Sequence, residues 1–311
     1  MNQFISVIIC TYNRCESLCN TLDSLIRQKN IDFEYEIIIV DNNSKDNTKE
    51  ILYSYIQKFK LKLKYFFEYQ QGLSYARNIG IKEAKGSILI FTDDDCILDE
   101  NWLSNINKCF QNYNCDGIGG RILPLYPENT PKWIIDNKDL LGGPIVMFDY
   151  GELNLAYDSK TMFPFVGANL SFKKNCFDEF GLFSTNLGAG SGALGEDTDF
   201  FKRLEKAGKK LYYCGEALAW HPVEIKRTNL RYLAKWYISG GKWIARDESR
   251  TINNNLVYCM GIPRYLIRDI IEDSIFLFFN VFNKRRFLKK WKELFCDIGK
   301  FIEYKENRCL K

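Results

Sequence analysis

Ile5-Ser6-Val7-Ile8-Ile9-Cys10-Thr11-Tyr12-Asn13-Arg14 is the stretch that decides the fold. Its first six residues form a near-continuous apolar run, the pattern of a strand buried on both faces of a parallel sheet. The run stops at a polar cluster, Thr11 to Arg14. Downstream, Leu18, Leu22, Leu25 and Ile26 recur at helical spacing, and Glu36-Ile37-Ile38-Ile39-Val40 reads as a second strand. That strand also stops at a polar cluster, Asp41-Asn42-Asn43-Ser44. A helix follows with Ile51, Tyr55, Ile56 and Phe59 on one side. Leu63-Lys64-Tyr65-Phe66-Phe67 reads as a third strand, and the segment after Gly72 as a third helix. Ser87-Ile88-Leu89-Ile90-Phe91 is a fourth strand, ending almost directly in Asp93-Asp94-Asp95. Strands alternating with helices predict an α/β fold, with right-handed crossovers and a mostly parallel sheet flanked by helices. Binding sites in such sheets lie beyond the carboxyl ends of the strands, where three polar clusters converge here.

The pattern changes after residue 122. Pro124, Pro127, Pro131, Pro144 and Pro164, with Gly142 and Gly143, punctuate residues 123–165, which read as an insertion carrying loops. A helix is predicted from about Glu196 to a stop at Gly208. Two short strands follow, Lys210 to Cys214 and Ala217 to Trp220. The expected organisation is a catalytic domain over 1–224 and a mostly helical extension over 225–311.

With 311 residues, 46% apolar and 26% charged, the chain has the composition of an ordinary globular protein. Its 11 cysteines are an odd number without a C-x-x-C pair, which reads as a reduced, cytoplasmic thiol population. The absence of an 18-residue apolar run excludes a conventional membrane span. Met1 to Cys10 lacks the basic and small-residue features of a signal peptide. The net charge of +4 divides into −6 over residues 1–224 and +10 over 225–311. An acidic body with a basic tail argues against a nucleic-acid partner and for a catalytic domain with a surface-attracted end.

Three adjacent carboxylates repel one another, and burial of an unpaired one is costly. A divalent cation relieves both problems at Asp93-Asp94-Asp95, and oxygen ligands suit Mg²⁺ or Mn²⁺. A solvated acidic turn capping the next helix satisfies the same triplet. Gly195-Glu196-Asp197-Thr198-Asp199 allows two readings as well. Acidic residues at a helix start complement its dipole, while the flexible stretch from Gly188 to Gly195 would let a substrate approach Asp197. The stretch from Gly190 to Gly195 matches G-x-G-x-x-G, but no strand immediately precedes it, which argues against a dinucleotide site. His221 is the single histidine. By itself it reads as a structural residue; paired with the aspartates it becomes a metal ligand.

These segments together resemble family 2 glycosyltransferases of the GT-A fold. The resemblance spans about residues 4–224. It rests on Val7 to Arg14, Ile39 to Ser44, Gly72-Leu73-Ser74-Tyr75-Ala76-Arg77-Asn78-Ile79-Gly80, Phe91 to Asp95, Gly167-Ala168-Asn169, Gly195 to Leu204, and His221. It implies an inverting, metal-dependent enzyme of the hexosyltransferase type, acting in cell-surface or extracellular polysaccharide synthesis. Its donor would be a nucleotide-diphosphate sugar and its acceptor a glycan or lipid-linked hydroxyl. By the same resemblance, Thr11, Tyr12, Arg14 and Asp41 surround the donor base. Arg77 meets the base or diphosphate, Asp93 holds the ribose and Asp95 the metal, with Asp94 close by. Asn169 lies near the transferred sugar. Asp95, Asp93 and His221 are the metal set, and Asp197 is the catalytic base with Glu196 beside it. The family pattern is D-x-D, so the roles of the three aspartates remain open. A sugar nucleotidyltransferase is a rival reading, but Thr11 to Arg14 lacks the glycine-rich loop such enzymes use. A non-catalytic nucleotide-sugar or glycan-binding module is another, and the intact Asp95, Asp197 and His221 speak against it.

Residues 264–292 carry Ile275-Phe276-Leu277-Phe278-Phe279 between basic clusters. Such a segment either packs as a core helix or lies peripherally on an inner membrane surface.

Overall fold

The computed structural model describes residues 4–58, 62–190, 195–250 and 257–308. Phe59 of the second predicted helix and the glycine-rich positions 191–194 lie outside the described residues. Contacts group the chain into two compact units: one of Met1–Tyr126 with Val146–Pro222, the other of Pro127–Ile145 with Val223–Lys311.

The first unit is built on β1 (Ile5–Thr11), β2 (Tyr35–Asp41), β3 (Leu63–Phe67) and β4 (Ile88–Asp93), parallel in the order β3-β2-β1-β4. Helices α1 (Cys15–Ile26), α2 (Thr48–Lys58) and α3 (Leu73–Glu83) make the crossovers. Five of the seven β1 residues are fully or almost fully buried apolar or small side chains, as expected for a central strand covered on both faces. Helix α1 turns Leu18, Leu22 and Leu25 inward, but leaves Ile26 at 45% exposure, one step off the buried stripe. Helix α3 lies so close to β1 that a Cβ on Gly80 would come within 2.4 Å of Ile8 Cγ2.

Strand register places the polar clusters side by side. Thr11 is opposite Asp41, and Cys10 is opposite both Val40 and Asp93, so Thr11, Asp41 and Asp93 end neighbouring strands at one edge. Beyond β4 the sheet changes direction. The next strand, Asn169–Lys173, runs antiparallel to β4, and Gly117–Leu125 antiparallel to it in turn. We label the remaining elements β5 (Ile97–Leu98), α4 (Trp102–Tyr113), β6 (Gly117–Leu125), α5 (Lys132–Ile135), β7 (Leu155–Ala156), β8 (Asn169–Lys173), α6 (Asn175–Phe180), α7 (Glu196–Lys206) and β9 (Leu211–Pro222). Nine strands form this sheet among the described residues. Phe91, Phe165, Phe172, Phe177, Phe183, Phe200 and Phe201 fill one side of the core, with Phe177 and Phe200 stacked at 4.4 Å.

The two strands predicted at 210–220 are one strand, β9. Its pairing with β6 jumps from Gly120–Cys214 to Arg121–Leu218, so Gly215, Glu216 and Ala217 bulge out between them. After the bulge β9 also receives β5, with Ile97 opposite Trp220 and Leu98 opposite Ala219.

The second unit contains α5, a 3₁₀ turn at Ile225–Thr228, α8 (Leu230–Arg250), α9 (Arg264–Phe279) and α10 (Lys284–Arg308). Residues 127–145 are tied into these helices. The Tyr237 hydroxyl and Lys292 Nζ donate to the Leu140 carbonyl at 3.2 and 3.3 Å. Arg285 grips both Asp139 oxygens at 3.1 and 2.6 Å, and Gly143 faces the Trp236 ring with no room for a Cβ.

Candidate active site

Asp93 ends β4, and the turn through Asp94 and Asp95 leads directly into β5. Pairing of β5 with β9 then fixes Asp95 next to His221. His221 Nε2 lies 3.4 Å from Asp95 Oδ1, with both side chains buried. One donor atom from each of Asp93, Asp95 and His221 falls within 4.8 Å of the others. Two buried atoms of this group, Asp95 Oδ1 and His221 Nδ1, have no hydrogen-bond partner among the described residues. Burial without a partner is costly for such atoms, so the cluster is shaped for something that supplies positive charge. Two carboxylates and an imidazole could hold a divalent cation.

The neighbouring charges reinforce that conclusion. Burial pushes the Asp94 carboxyl up to about 7, against the Thr11 hydroxyl and Arg14, with further repulsion from Asp95 and Asp93. Asp93 keeps 34% of its side chain exposed at the rim. Its carboxyl is nevertheless raised by the surrounding protein mass and by Asp95 and Asp197, with Arg77 and His221 opposing. Arg14 sits over the cluster, its Nη1 2.6 Å from Asp95 Oδ2 and 3.3 Å from Asp94 Oδ1.

Arg77 comes from the inward face of α3, in register with Ser74 and Ile81. Its Nη1 donates to Glu196 Oε1 at 2.5 Å, and Nη2 lies 3.5 Å from Asp93 Oδ1. Burial alone would lower the Arg77 pKa; Glu196, Asp93 and Asp197 outweigh it, and the guanidinium stays charged. A Cβ on Gly167 would come within 2.5 Å of Arg77 Nη2, so glycine there admits the cation. Glu196 itself is held above its usual range by burial first and by Asp197, while Arg77 opposes.

Asp197, in the first turn of α7, is partly exposed. Its Oδ2 accepts the Gly167 N–H at 2.8 Å and its Oδ1 the Thr198 N–H at 2.7 Å. Both bonds hold a carboxylate in one orientation and leave lone pairs on each oxygen. Asp197 interacts electrostatically with both Asp93 and Arg77, so it lies on the Asp93–Arg77–Glu196 side of the acidic cluster.

The other predicted residues take distinct places. Thr11 and Asp41 are buried at the strand ends, and Asp41 accepts the Ser44 N–H at 2.8 Å and the Tyr65 hydroxyl at 3.1 Å. Tyr12 is 46% exposed. Asn169 is 1% exposed, and its amide is spent on the protein. Nδ2 donates to the Arg121 and Ala217 carbonyls at 3.0 and 2.8 Å, while Oδ1 accepts Trp102 Nε1–H at 2.9 Å. These carbonyls flank the β9 bulge, so Asn169 closes the irregularity that brings His221 to Asp95. Sequence reading did not single out Asn42 as an individual site residue. Its Oδ1 takes the Gly72 N–H at 2.8 Å and its Nδ2 reaches the Gln70 carbonyl at 2.7 Å, fixing the loop that leads into α3. Its only signal was membership of the polar cluster after β2.

Known proteins resemble this chain in sequence and in fold. A glycosyltransferase, AglE, of Haloferax volcanii is 28% identical over 220 residues, covering 71% of this chain and 67% of AglE. The mannosyltransferase PcManGT of Pyrobaculum calidifontis, solved with GDP-Man and Mn²⁺, superposes with a TM-score of 0.63 at 14% identity, covering 99% of this chain and 88% of that one. TarS of S. aureus superposes with a TM-score of 0.55 at 19% identity; the match covers 89% of this chain but only 44% of TarS. The two solved structures share the GT-A arrangement of sheet and helices. The model of the family described as glycosyl transferase family 2 matches residues 6–181, which contain β1 from Ser6 onward, the elements through β8 and the aspartate triplet. With more than half its length in that match and its acidic cluster at the carboxyl edge of the sheet, the chain belongs to glycosyl transferase family 2.

Proposed function

We propose that the protein moves a sugar from a nucleotide-diphosphate donor to a hydroxyl of a glycan or lipid-linked acceptor, with inversion at the anomeric carbon. In this reading it works in cell-surface or extracellular polysaccharide synthesis, attached peripherally at the inner face of a membrane. The observation that carries it is Asp197, a fixed and partly exposed carboxylate close enough to Asp93 to raise its carboxyl, beside the Asp93–Asp95–His221 cluster. The GDP-Man and Mn²⁺ bound by PcManGT are consistent with the donor class.

Asp93, Asp95 and His221 would hold the cation. When bound, Mg²⁺ or Mn²⁺ neutralises the growing negative charge of the diphosphate leaving group. Asp197 accepts the proton of the attacking hydroxyl, which is a poor nucleophile until deprotonated. Glu196, engaged by Arg77, keeps that guanidinium charged and aimed at the rim of the cleft, where donor phosphate oxygens would meet it. Thr11, Tyr12, Arg14 and Asp41 border the base-binding side. A single displacement from the face opposite the leaving group inverts the centre without a covalent nucleophile.

A thermal-shift screen across UDP-, GDP- and dTDP-sugars, with and without Mn²⁺, identifies the donor. The expected result is stabilisation by one nucleotide class and only with the cation. Asp197→Asn is expected to lower turnover by roughly 10²–10⁴-fold, the usual worth of a general base, with donor-induced stabilisation unchanged. Near-normal turnover in that variant removes the base assignment.

A further inference from the structure

Helix α9 is amphipathic in an unusual sense. Its inward side carries Leu266, fully buried, and Asp273, 5% exposed and bound by Lys290 Nζ at 2.8 Å. Its outward side carries Arg264, Arg268, Ile271, Ile275 and Phe278, and the same spacing of three and four residues continues to Phe282 beyond the helix end. Exposure rises along that stripe, from 55% and 54% at Ile271 and Ile275 to 78% at Phe278 and 100% at Phe282. Phe279 and Val281 add 75% and 57% at the same corner. The stripe thus grades from cationic through aliphatic to aromatic. Past the corner, Lys284, Arg286 and Lys289 are exposed at the start of α10, with no ion-pair partner among the described residues. Arg285 is exposed beside them and holds Asp139.

We infer that the α9–α10 corner inserts into the surface of an anionic bilayer, placing Phe278, Phe279, Val281 and Phe282 among the acyl chains and Lys284, Arg286 and Lys289 on the headgroups. This deepens the peripheral attachment proposed above by naming its contact and its lipid chemistry. Only the second half of the stripe is apolar, so α9 enters at a tilt, corner first, and does not lie flat. No helix among the described residues is long and apolar enough to cross a membrane, so the contact is interfacial. Charge chooses the occupant. Arg268 is paired with Asp269 and Glu272, so the uncompensated charge lies beside the aromatic corner at Lys284, Arg286 and Lys289, where anionic headgroups complement it and a second copy of the same corner would repel it.

Sedimentation of the purified full chain with vesicles tests this. The chain is expected to pellet with phosphatidylglycerol vesicles at low salt and to stay in solution with phosphatidylcholine alone. Phe278→Ser with Phe282→Ser is expected to weaken partitioning by at least about tenfold, the loss of one large buried apolar side chain or more, without changing the melting temperature. Lys284→Glu with Arg286→Glu is expected to abolish the preference for phosphatidylglycerol. In Phe282→Trp, the introduced indole is expected to shift its emission to the blue and to be quenched by brominated acyl chains. Absence of pelleting by the unmodified chain overturns the inference. So does pelleting indifferent to the two serine substitutions, or self-association that depends on those same phenylalanines. Donor binding measured in vesicle-free solution reports on sugar transfer alone, so the two readings fail separately.

Discussion

Glu36 and Glu196 are both buried carboxylates, and their surroundings shift their pKa values in opposite directions. Glu36 accepts from the Ser6 hydroxyl at 2.7 Å, the Lys85 N–H at 2.7 Å and Lys64 Nζ at 2.5 Å. Burial pushes its pKa up, but these donors, Lys64 foremost, pull it below the usual 4.5. A lowered folded-state pKa contributes stability that is present above 4.5 and lost as the pH falls below it. Glu36→Gln is therefore expected to reduce stability by about 1–3 kcal/mol at neutral pH and to flatten the acid limb of the melting curve below pH 4.5. Glu196 answers to Arg77, and removing its charge leaves a buried cation short of its partner. Glu196→Gln is expected to reduce stability by roughly 1–3 kcal/mol, whereas Asp197→Asn, whose amide nitrogen can no longer accept one of the Gly167 and Thr198 N–H bonds, is expected to cost about 1 kcal/mol and to act chiefly on turnover. Chemical denaturation of the two variants in parallel separates holding from reacting. The distinction was not legible in Gly195-Glu196-Asp197, where the two acids are adjacent and alike. It comes from the Arg77 bond across 119 positions, and no local pattern encodes that.

Among the elements, β1 to β4 and their helices were legible because each strand is an apolar run ended by polar residues. Burial on two faces leaves that mark in any parallel sheet. β9 was not legible as one strand, because Gly215-Glu216 reads as a turn. Here it is a bulge that leaves the Ala217 carbonyl and the facing Arg121 carbonyl of β6 in need of a donor, and Asn169 Nδ2 serves both from β8. Asn169→Ala leaves the Trp102 Nε1–H and two buried carbonyls unpaired. A loss of about 2–4 kcal/mol is expected, with weaker Mn²⁺ stabilisation because His221 is no longer aligned. Unchanged Mn²⁺ response in calorimetry would disconnect the bulge from the cation cluster. The α3–β1 contact is similarly exacting. Gly80→Ala forces a methyl onto Ile8 and is expected to cost about 1–3 kcal/mol by overpacking, seen as an earlier urea midpoint.

At the scale of the molecule, the two compact units are not consecutive along the chain. Residues 127–145 leave the sheet unit to join α8 and α10, carrying Ile134, Leu141 and Ile145, each 0% exposed. A chain ending at residue 222 is expected to expose these side chains and to aggregate, whereas one also lacking 127–145 is expected to stay dispersed; light scattering distinguishes them. The proline-rich 123–165 segment signalled an irregular region but not its partners, because its contacts are made with residues about 100 positions later. The bulged strand β9 has a consequence for synthesis. His221 is the last acquired member of the cation cluster, so on the ribosome the nascent polypeptide carries its aspartates for more than 120 residues of translation before the imidazole exists to complete them. Competence for sugar transfer thus arrives late, with the strand that completes the sheet.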